Sequence, residues 1–365
     1  MEFLSETVSS SRRGAHMLAI RGGSIVEETR KKLAGFMSVD HPQISFQKSI
    51  TSSVASFALG YDWKKKGKDT ILVAASEEHS ILVALQRVSQ LLNLEIKPIP
   101  IDDQGVLDLG SLENLLTKRV GIVAVGSTTI GWGIRNPLRA ISNQVHEYDG
   151  MLLSDVSRSF GYDIRSLVKS GPDLIVTSAN TSFMAPPGLA IQWIEESLGA
   201  QHIPGILGGS SVSNVSLTEY EIALQPDKFE SDVLNVPAIA GLSAAIAYLS
   251  SIDMTKIQSH FKELAVHTLR RANEIENLNL FGHPDELSTI FGFNLGDDAM
   301  ISCHDISLFL DESHIATRSG LLCAHPLVKR ASFEGIIQTS YGLYNSVEEI
   351  DLLFDTLGTI SKDLL

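Results

Sequence analysis

Between Thr70 and Ser178 the chain alternates apolar runs of strand length with segments of helical spacing. Thr70 to Ala75, Leu94 to Ile99, Val120 to Val125, Met151 to Asp155 and Leu174 to Ser178 read as strands, and most are apolar throughout, as strands buried on both faces are. His79 to Leu92, and the segment that Pro137 opens at its first turn, read as helices lying between them. Strands joined by helical crossovers pair in parallel, so the pattern predicts an α/β fold with a mostly parallel sheet covered by helices. Ligands of such sheets sit beyond the carboxyl ends of the strands. Asp155 and Ser178, the polar residues that close two of the runs, fall in that position.

Elsewhere the pattern is looser. Ser24 with Glu27 forms a capping box ahead of a helix that turns Ile25, Leu33 and Met37 inward. Val236 to Leu249 is the longest apolar run; Gly241 and Ser243 interrupt it, and it is too short to span a bilayer, so it reads as a buried helix. Beyond it come a polar helix to about Glu276, a strand at Thr289 to Asn294, a helix from Asp305, a strand at His314 to Thr317 and a closing helix Val347 to Leu357. That is a second, smaller α/β unit. The predicted division is a large domain over 18–255 and a small C-terminal domain over 256–365, with 1–17 packed against the small one.

A net charge of −14 argues against nucleic acid or an anionic membrane as the main partner, since either wants clustered Lys and Arg. The short basic pieces Arg30 to Lys32 and Lys64 to Lys68 read as solvated. No basic stretch followed by an apolar core opens the sequence, so a cytoplasmic location is expected. Two cysteines, Cys303 and Cys323, make no disulfide framework. Cys303 and His304 are adjacent with no second pair at ligand spacing, so no metal is expected.

Several side chains admit two readings. Asp155 is a partner for a pyridinium nitrogen or a turn residue. Cys323 lies in Arg318-Ser319-Gly320-Leu321-Leu322-Cys323-Ala324-His325-Pro326-Leu327, a loop by its glycine and proline. Its thiol is a nucleophile or simply packs, and Arg318 is able to clamp a carboxylate. Cys303 reads as packing. His79 stacks on a ring or caps its helix, and Gly208, Gly209 and Ser210 form a turn that either approaches a ligand or is only a turn.

Taken in order, Arg13-Gly14-Ala15-His16, Glu77-Glu78-His79-Ser80, Leu153-Ser154-Asp155, Phe291-Gly292-Phe293, the Arg318 to Leu327 loop and Tyr341 to Glu349 resemble the class V aminotransferase superfamily. The resemblance is strongest to the SufS-type cysteine desulfurases. It implies a fold type I pyridoxal-phosphate (PLP) dependent transferase, aspartate-aminotransferase-like, working as a dimer whose active site lies at the two-fold interface. In that family a loop cysteine takes sulfur from cysteine as a persulfide, for sulfur mobilisation and iron–sulfur cluster assembly. Carried over, Cys323 is the persulfide carrier, Arg318 the substrate-carboxylate clamp and Asp155 the ring-nitrogen partner.

The departures gather where the cofactor belongs. The family lysine falls on Thr181, or on Ser182 if Pro186-Pro187-Gly188 sets the register, and no lysine occurs between Lys169 and Lys228. A hydroxyl cannot form the Schiff base. Of the phosphate-binding Thr-Thr-Glu only Thr51 remains; the stacking histidine falls on Glu78, a ring-oxygen glutamine on Arg158 and a partner-subunit threonine on Val233. The family's first strand has no counterpart before Met1. From these departures no cofactor is expected, with PLP binding weakly at best and Asp155, Thr51, His79, Ser178 and Arg158 vestigial. The leading expectation is a non-catalytic subunit, pairing with itself or with an active paralogue. One alternative is a sulfur relay through a Cys323 persulfide to an acceptor protein; another is a PLP-dependent desulfurase or aminotransferase with an atypical site.

Overall fold

The structure is a computed structural model that describes residues 2–8, 10–11, 14–159, 164–282, 288–296 and 301–364. Thirteen strands occur among the described residues. They are β1 (Ile44–Gln47), β2 (Thr70–Ala74), β3 (Glu95–Ile99), β4 (Val120–Ala124), β5 (Met151–Asp155), β6 (Leu174–Ser178) and β7 (Ala190–Ile194), then β8 (Val212–Val215), β9 (Tyr220–Ile222), β10 (Leu278–Phe281), β11 (Ile290–Leu295), β12 (Arg318–Gly320) and β13 (Ile336–Ser340).

The first seven form one sheet in the order β1-β7-β6-β5-β4-β2-β3. From β6 to β3 every pairing is parallel, and β7 runs antiparallel to both its neighbours. This is the expected mostly parallel α/β sheet. Its inner strands β2, β4 and β5 are buried along their whole length. The outer strand β3 is half-solvated and carries Lys97 and Pro98, a charge and a missing donor that discourage further strand addition. Because β5 and β6 are parallel with Asp155 opposite Val176, Asp155 and Ser178 emerge on the same edge. Helix His79–Leu92 starts on that edge, buries Ile81, Ala84, Leu85 and Val88, and stops at Asn93 in the left-handed region.

A second sheet, β10-β11-β13-β12, is antiparallel, and its core with helices Met254–Ala272, Cys303–Glu312 and Val347–Leu364 includes Phe261, Phe293, Cys303 and Phe354. The strand expected at 314–317 is displaced: His314 turns the chain with φ of 61°, and pairing begins only at Arg318. Residues 2–6 lie against helix Val236–Ser251 of the large unit, with Phe3 packed on its core, rather than against the small one. No single helix among the described residues is long and apolar enough to cross a membrane.

Ser24 does not open a helix. The helix is Met17–Met37, capped by His16 Nδ1 accepting from the Ala19 amide, and Ser24 donates back to the Ile20 carbonyl at 3.1 Å. Gly23 mimics a helix break in the sequence but serves a close approach, since a Cβ there would lie 2.8 Å from the Ser11 carbonyl oxygen. The solvated basic pieces are also corrected. Arg30 is fully buried and ion-paired with Glu230 at 2.8 Å, and Lys68 is buried with its ammonium on the Tyr148 carbonyl.

The loop after β4 is pinned to the small unit at Gly133. Its φ is 67°, and a Cβ would sit 2.2 Å from the Ile290 carbonyl oxygen and 2.4 Å from Ser288 Oγ. Gly133→Ala should therefore lose about 2–4 kcal/mol, strain and overlap together, read as a lower urea midpoint. An unchanged midpoint would show that this loop yields freely.

Candidate active site

Asp155 leaves β5 into a short turn and is 8% exposed. Its carboxylate accepts from the Ser157 amide at 2.8 Å and from the Ser157 hydroxyl, while Ser157 Oγ accepts from the Ser178 amide at 3.0 Å. Ser157 thus ties the ends of β5 and β6 into one polar unit. Burial, and then the charge of Glu78, push the Asp155 carboxyl up to about 6, against the Ser157 bonds and Arg158. Glu77, beyond β2 on the same edge, is buried and receives the Gly126 amide. Burial pushes it up to about 8, helped by the charges of Asp155 and Glu78 and opposed by Gly126.

Over this pair lies a second one. Arg158 grips Glu78 with two hydrogen bonds of 2.9 Å, Nε to one oxygen and Nη2 to the other, both side chains about one-fifth exposed. The space enclosed by Glu77, Glu78, Asn136, Asp155 and Arg158 is about 10 Å³. Asn136 donates to the Gly126 carbonyl at 2.8 Å, and its buried Oδ1 has no partner among the described residues.

Cys323 stands on the adjoining loop, exposed, with its sulfur 3.4 Å from Arg318 Nη2. Leu322 and Cys323 both take left-handed backbone, φ 51° and 57°, strain of roughly 1–2 kcal/mol each. Two contacts hold them there: buried Leu322 packs among Ile130, Trp132 and Ile336, and the Cys323 carbonyl accepts the His79 amide at 2.8 Å. His79 meets His325 edge to face at 4.4 Å; burial, then His325, hold its imidazole below the ordinary value against the pull of Glu78.

The predicted residues therefore fall into connected groups. Asp155, Ser178 and Arg158 belong to one network; Arg318, Cys323 and His79 form the neighbouring loop contact. Thr51 stands apart, exposed in the first turn of helix Ile50–Gly60, whose cap is Ser49. Thr181 is exposed and donates to the Ser178 carbonyl at 2.9 Å; the Ser182 side chain and Arg13 lie outside the described residues. Cys303 is buried in the small core, as its packing reading requires. Glu77, Ser157 and Asn136 were not foreseen. Glu77 was findable by the same strand-end rule that picked out Asp155.

Residues 1–353 match the family model described as Aminotransferase class-V. The chain belongs to the class V aminotransferase family. Within that family it is 29% identical over 354 residues to a probable cysteine desulfurase of Pyrococcus abyssi, covering 96% of this chain and 87% of the relative. Its structure matches the apo cysteine desulfurase of Thermococcus onnurineus NA1 with a TM-score of 0.91 and 27% identity, over 100% of this chain and 90% of the other. The fold expectation, PLP-dependent fold type I, stands. A further match at 18% identity and TM-score 0.82, over 95% and 89% of the two chains, is a mutant of C-DES titled as holding glycine covalently linked to its PLP cofactor.

The expectation of no cofactor is overturned by these findings. Class V membership, and the cofactor named for a protein of the same fold, point to pyridoxal phosphate. Parts of the site fit it. Asp155, buried and steadied by Ser157, suits a protonated ring nitrogen, and Ser178 and the amide-bearing N-terminus of Ile50–Gly60 suit a phosphate. Among the described residues, no lysine lines the small space beside Asp155.

Proposed function

We propose that this class V aminotransferase family member is an atypical cysteine desulfurase, moving sulfur onto Cys323 beside a PLP seat that has no covalent anchor in the chain. One observation carries the reading: an exposed thiol held against Arg318, on a strained loop docked one residue from the Glu78–Arg158 pair. A thiol kept only for packing would be covered, and Cys303 shows what that looks like here. The names of the relatives support the same chemistry.

Each residue has a part. Bound PLP supplies an electron sink at the substrate's α-carbon. Asp155 would hold the ring nitrogen through a charge-assisted hydrogen bond, Ser178 and Thr51 are the residues the resemblance offers to the phosphate, and Thr181 or Ser182 stands where it puts the family's amine. Arg318 steers the Cys323 sulfur, 3.4 Å away, and is the residue the resemblance offers to a substrate carboxylate. The working division is 18–255 and 256–365, and the working form a dimer, of this chain alone or with an active paralogue. A purely non-catalytic role leaves the Arg318–Cys323 contact without a purpose.

A second reading, the sulfur relay, is favoured by the thiol being exposed while the space over Asp155 is small. Here the Cys323 thiolate attacks the outer sulfur of a donor persulfide, the donor leaves as its thiolate, and Cys323 keeps the persulfide for an acceptor protein. Mass spectrometry separates the readings. With L-cysteine and PLP, the Cys323 peptide should gain one sulfur atom, and Cys323→Ser should lose it entirely. Labelling only from a preformed persulfide would leave the relay standing alone, and no label from either donor would refute both.

A further inference from the structure

Three helices of the large unit and the first of the small one line a cavity of about 670 Å³. They are Met17–Met37, the short helix Ile164–Lys169, Val236–Ser251 and Met254–Ala272, the last two meeting at an 87° bend. Its size lies within the roughly 300–1,000 Å³ of small-molecule sites. None of its lining residues belongs to the Asp155 network or to the Cys323 loop.

We propose that this cavity is a binding site for an anionic amphiphile, an aliphatic tail carried on a carboxylate or phosphate head. Three observations support it. The first is the wall, which is aliphatic along Ile164, Ile246, Leu249 and Ile252, with Met254 flexible enough to follow a tail. The second is charge of one sign. Lys32 and Arg165 line the cavity, both exposed, and among the described residues no carboxylate lines it, in a chain whose net charge is −14. Lys32 Nζ donates to Ser243 Oγ at 3.0 Å, and Arg165 Nε to the Phe36 carbonyl at 3.1 Å. Those bonds hold the two cations in place without neutralising them, and an anionic head completes the arrangement.

The third is Gly35. Glycine weakens a helix, and Gly23 of the same helix has its reason in the Ser11 carbonyl. Gly35 has no such neighbour: a Cβ there would meet no atom within 4 Å, and the residue lines this cavity. Its missing side chain keeps the space open. Occupancy also has a consequence, because Met254 and Gln258 begin the first helix of the small unit while the other walls belong to the large one. A bound tail ties the two units together.

The test is calorimetric titration of the full chain with dodecanoate and with dodecyl phosphate, each below its micellar concentration. One molecule should bind per chain, and the tighter of the two identifies the head. Acetate, a head without a tail, and dodecyltrimethylammonium, the same tail on a cation, should each bind at least about tenfold more weakly. Lys32→Gln combined with Arg165→Gln should weaken the anion about tenfold or more. Gly35→Leu puts a side chain into the space and should abolish binding, yet its urea midpoint should equal or exceed that of the wild type, because leucine is the better helix former. Lost binding at an undiminished midpoint separates a filled cavity from a failed fold, and the Lys32, Arg165 double variant, which alters only exposed side chains, decides the matter independently. Unchanged affinity in either variant, equal affinity for the cationic amphiphile, or no binding of either anion would overturn the site.

Discussion

Glu230→Ala should cost the protein about 3–5 kcal/mol, the largest loss expected from any single polar substitution here. Glu230 is 1% exposed and accepts from Arg30 Nη1 at 2.8 Å, Arg30 Nη2 at 3.3 Å and the Phe46 amide at 2.7 Å. Arg30 is fully buried, lies over the Phe46 ring at 4.7 Å and donates to the Ile44 carbonyl at 2.7 Å. Removing the carboxylate leaves a buried guanidinium that cannot shed its proton with only the half-exposed Glu27, at 3.3 and 3.4 Å, as its carboxylate partner, and leaves the Phe46 amide of β1 without its acceptor. The damage should spread to function, because β1 leads directly into helix Ile50–Gly60, whose N-terminus is the phosphate candidate. Glu230→Gln keeps an acceptor for both donors and should lose less. Urea unfolding of the three proteins decides it: a Glu230→Ala midpoint equal to that of Glu230→Gln would mean that the acceptor does not matter, and a Glu230→Gln midpoint equal to the wild type's that the charge does not.

That pair also marks where sequence reasoning stops. The inner strands are legible because a parallel strand buried on both faces must be apolar along its length, and no competing structure uses such short runs so regularly. Once those strands are placed, the strand-end rule delivers Asp155 and Ser178. β7 escapes because Gln192 interrupts its apolar run; the structure buries that residue and bonds it to Ser53 at 2.6 Å, a partner 139 positions away. Arg30 looks solvated for the same reason, its partner being 200 positions downstream. The Glu78–Arg158 closure is of this kind too. Each residue was legible singly as a departure from its family, yet nothing local says that the two departures answer each other.

Between pH 6 and 9 the protein should lose stability, and Glu77→Gln should flatten that loss. Glu77 titrates near 8 in the folded chain against 4.5 as an ordinary side chain, because burial disfavours its charge. Between those two values the folded state holds a proton that the unfolded state has released, so stability falls as pH rises until the folded group ionises. Asp155, raised to about 6 from 3.8, acts in the same direction over a lower window and is spent by neutral pH. The upper limb therefore belongs to Glu77. At about 1.4 kcal/mol for each tenfold change in proton affinity, the difference between wild type and Glu77→Gln should change by on the order of 3 kcal/mol between pH 6 and pH 9. Glutamine keeps the acceptor for the Gly126 amide, so the comparison isolates the charge. Parallel melting curves for the two proteins across this range would show that Glu77 is already ionised. The ordering matters for the site. Two carboxylates buried side by side cannot both ionise cheaply, and with Glu77 neutral near pH 7 the negative charge falls to Asp155, the group placed at the strand end to meet a protonated ring nitrogen.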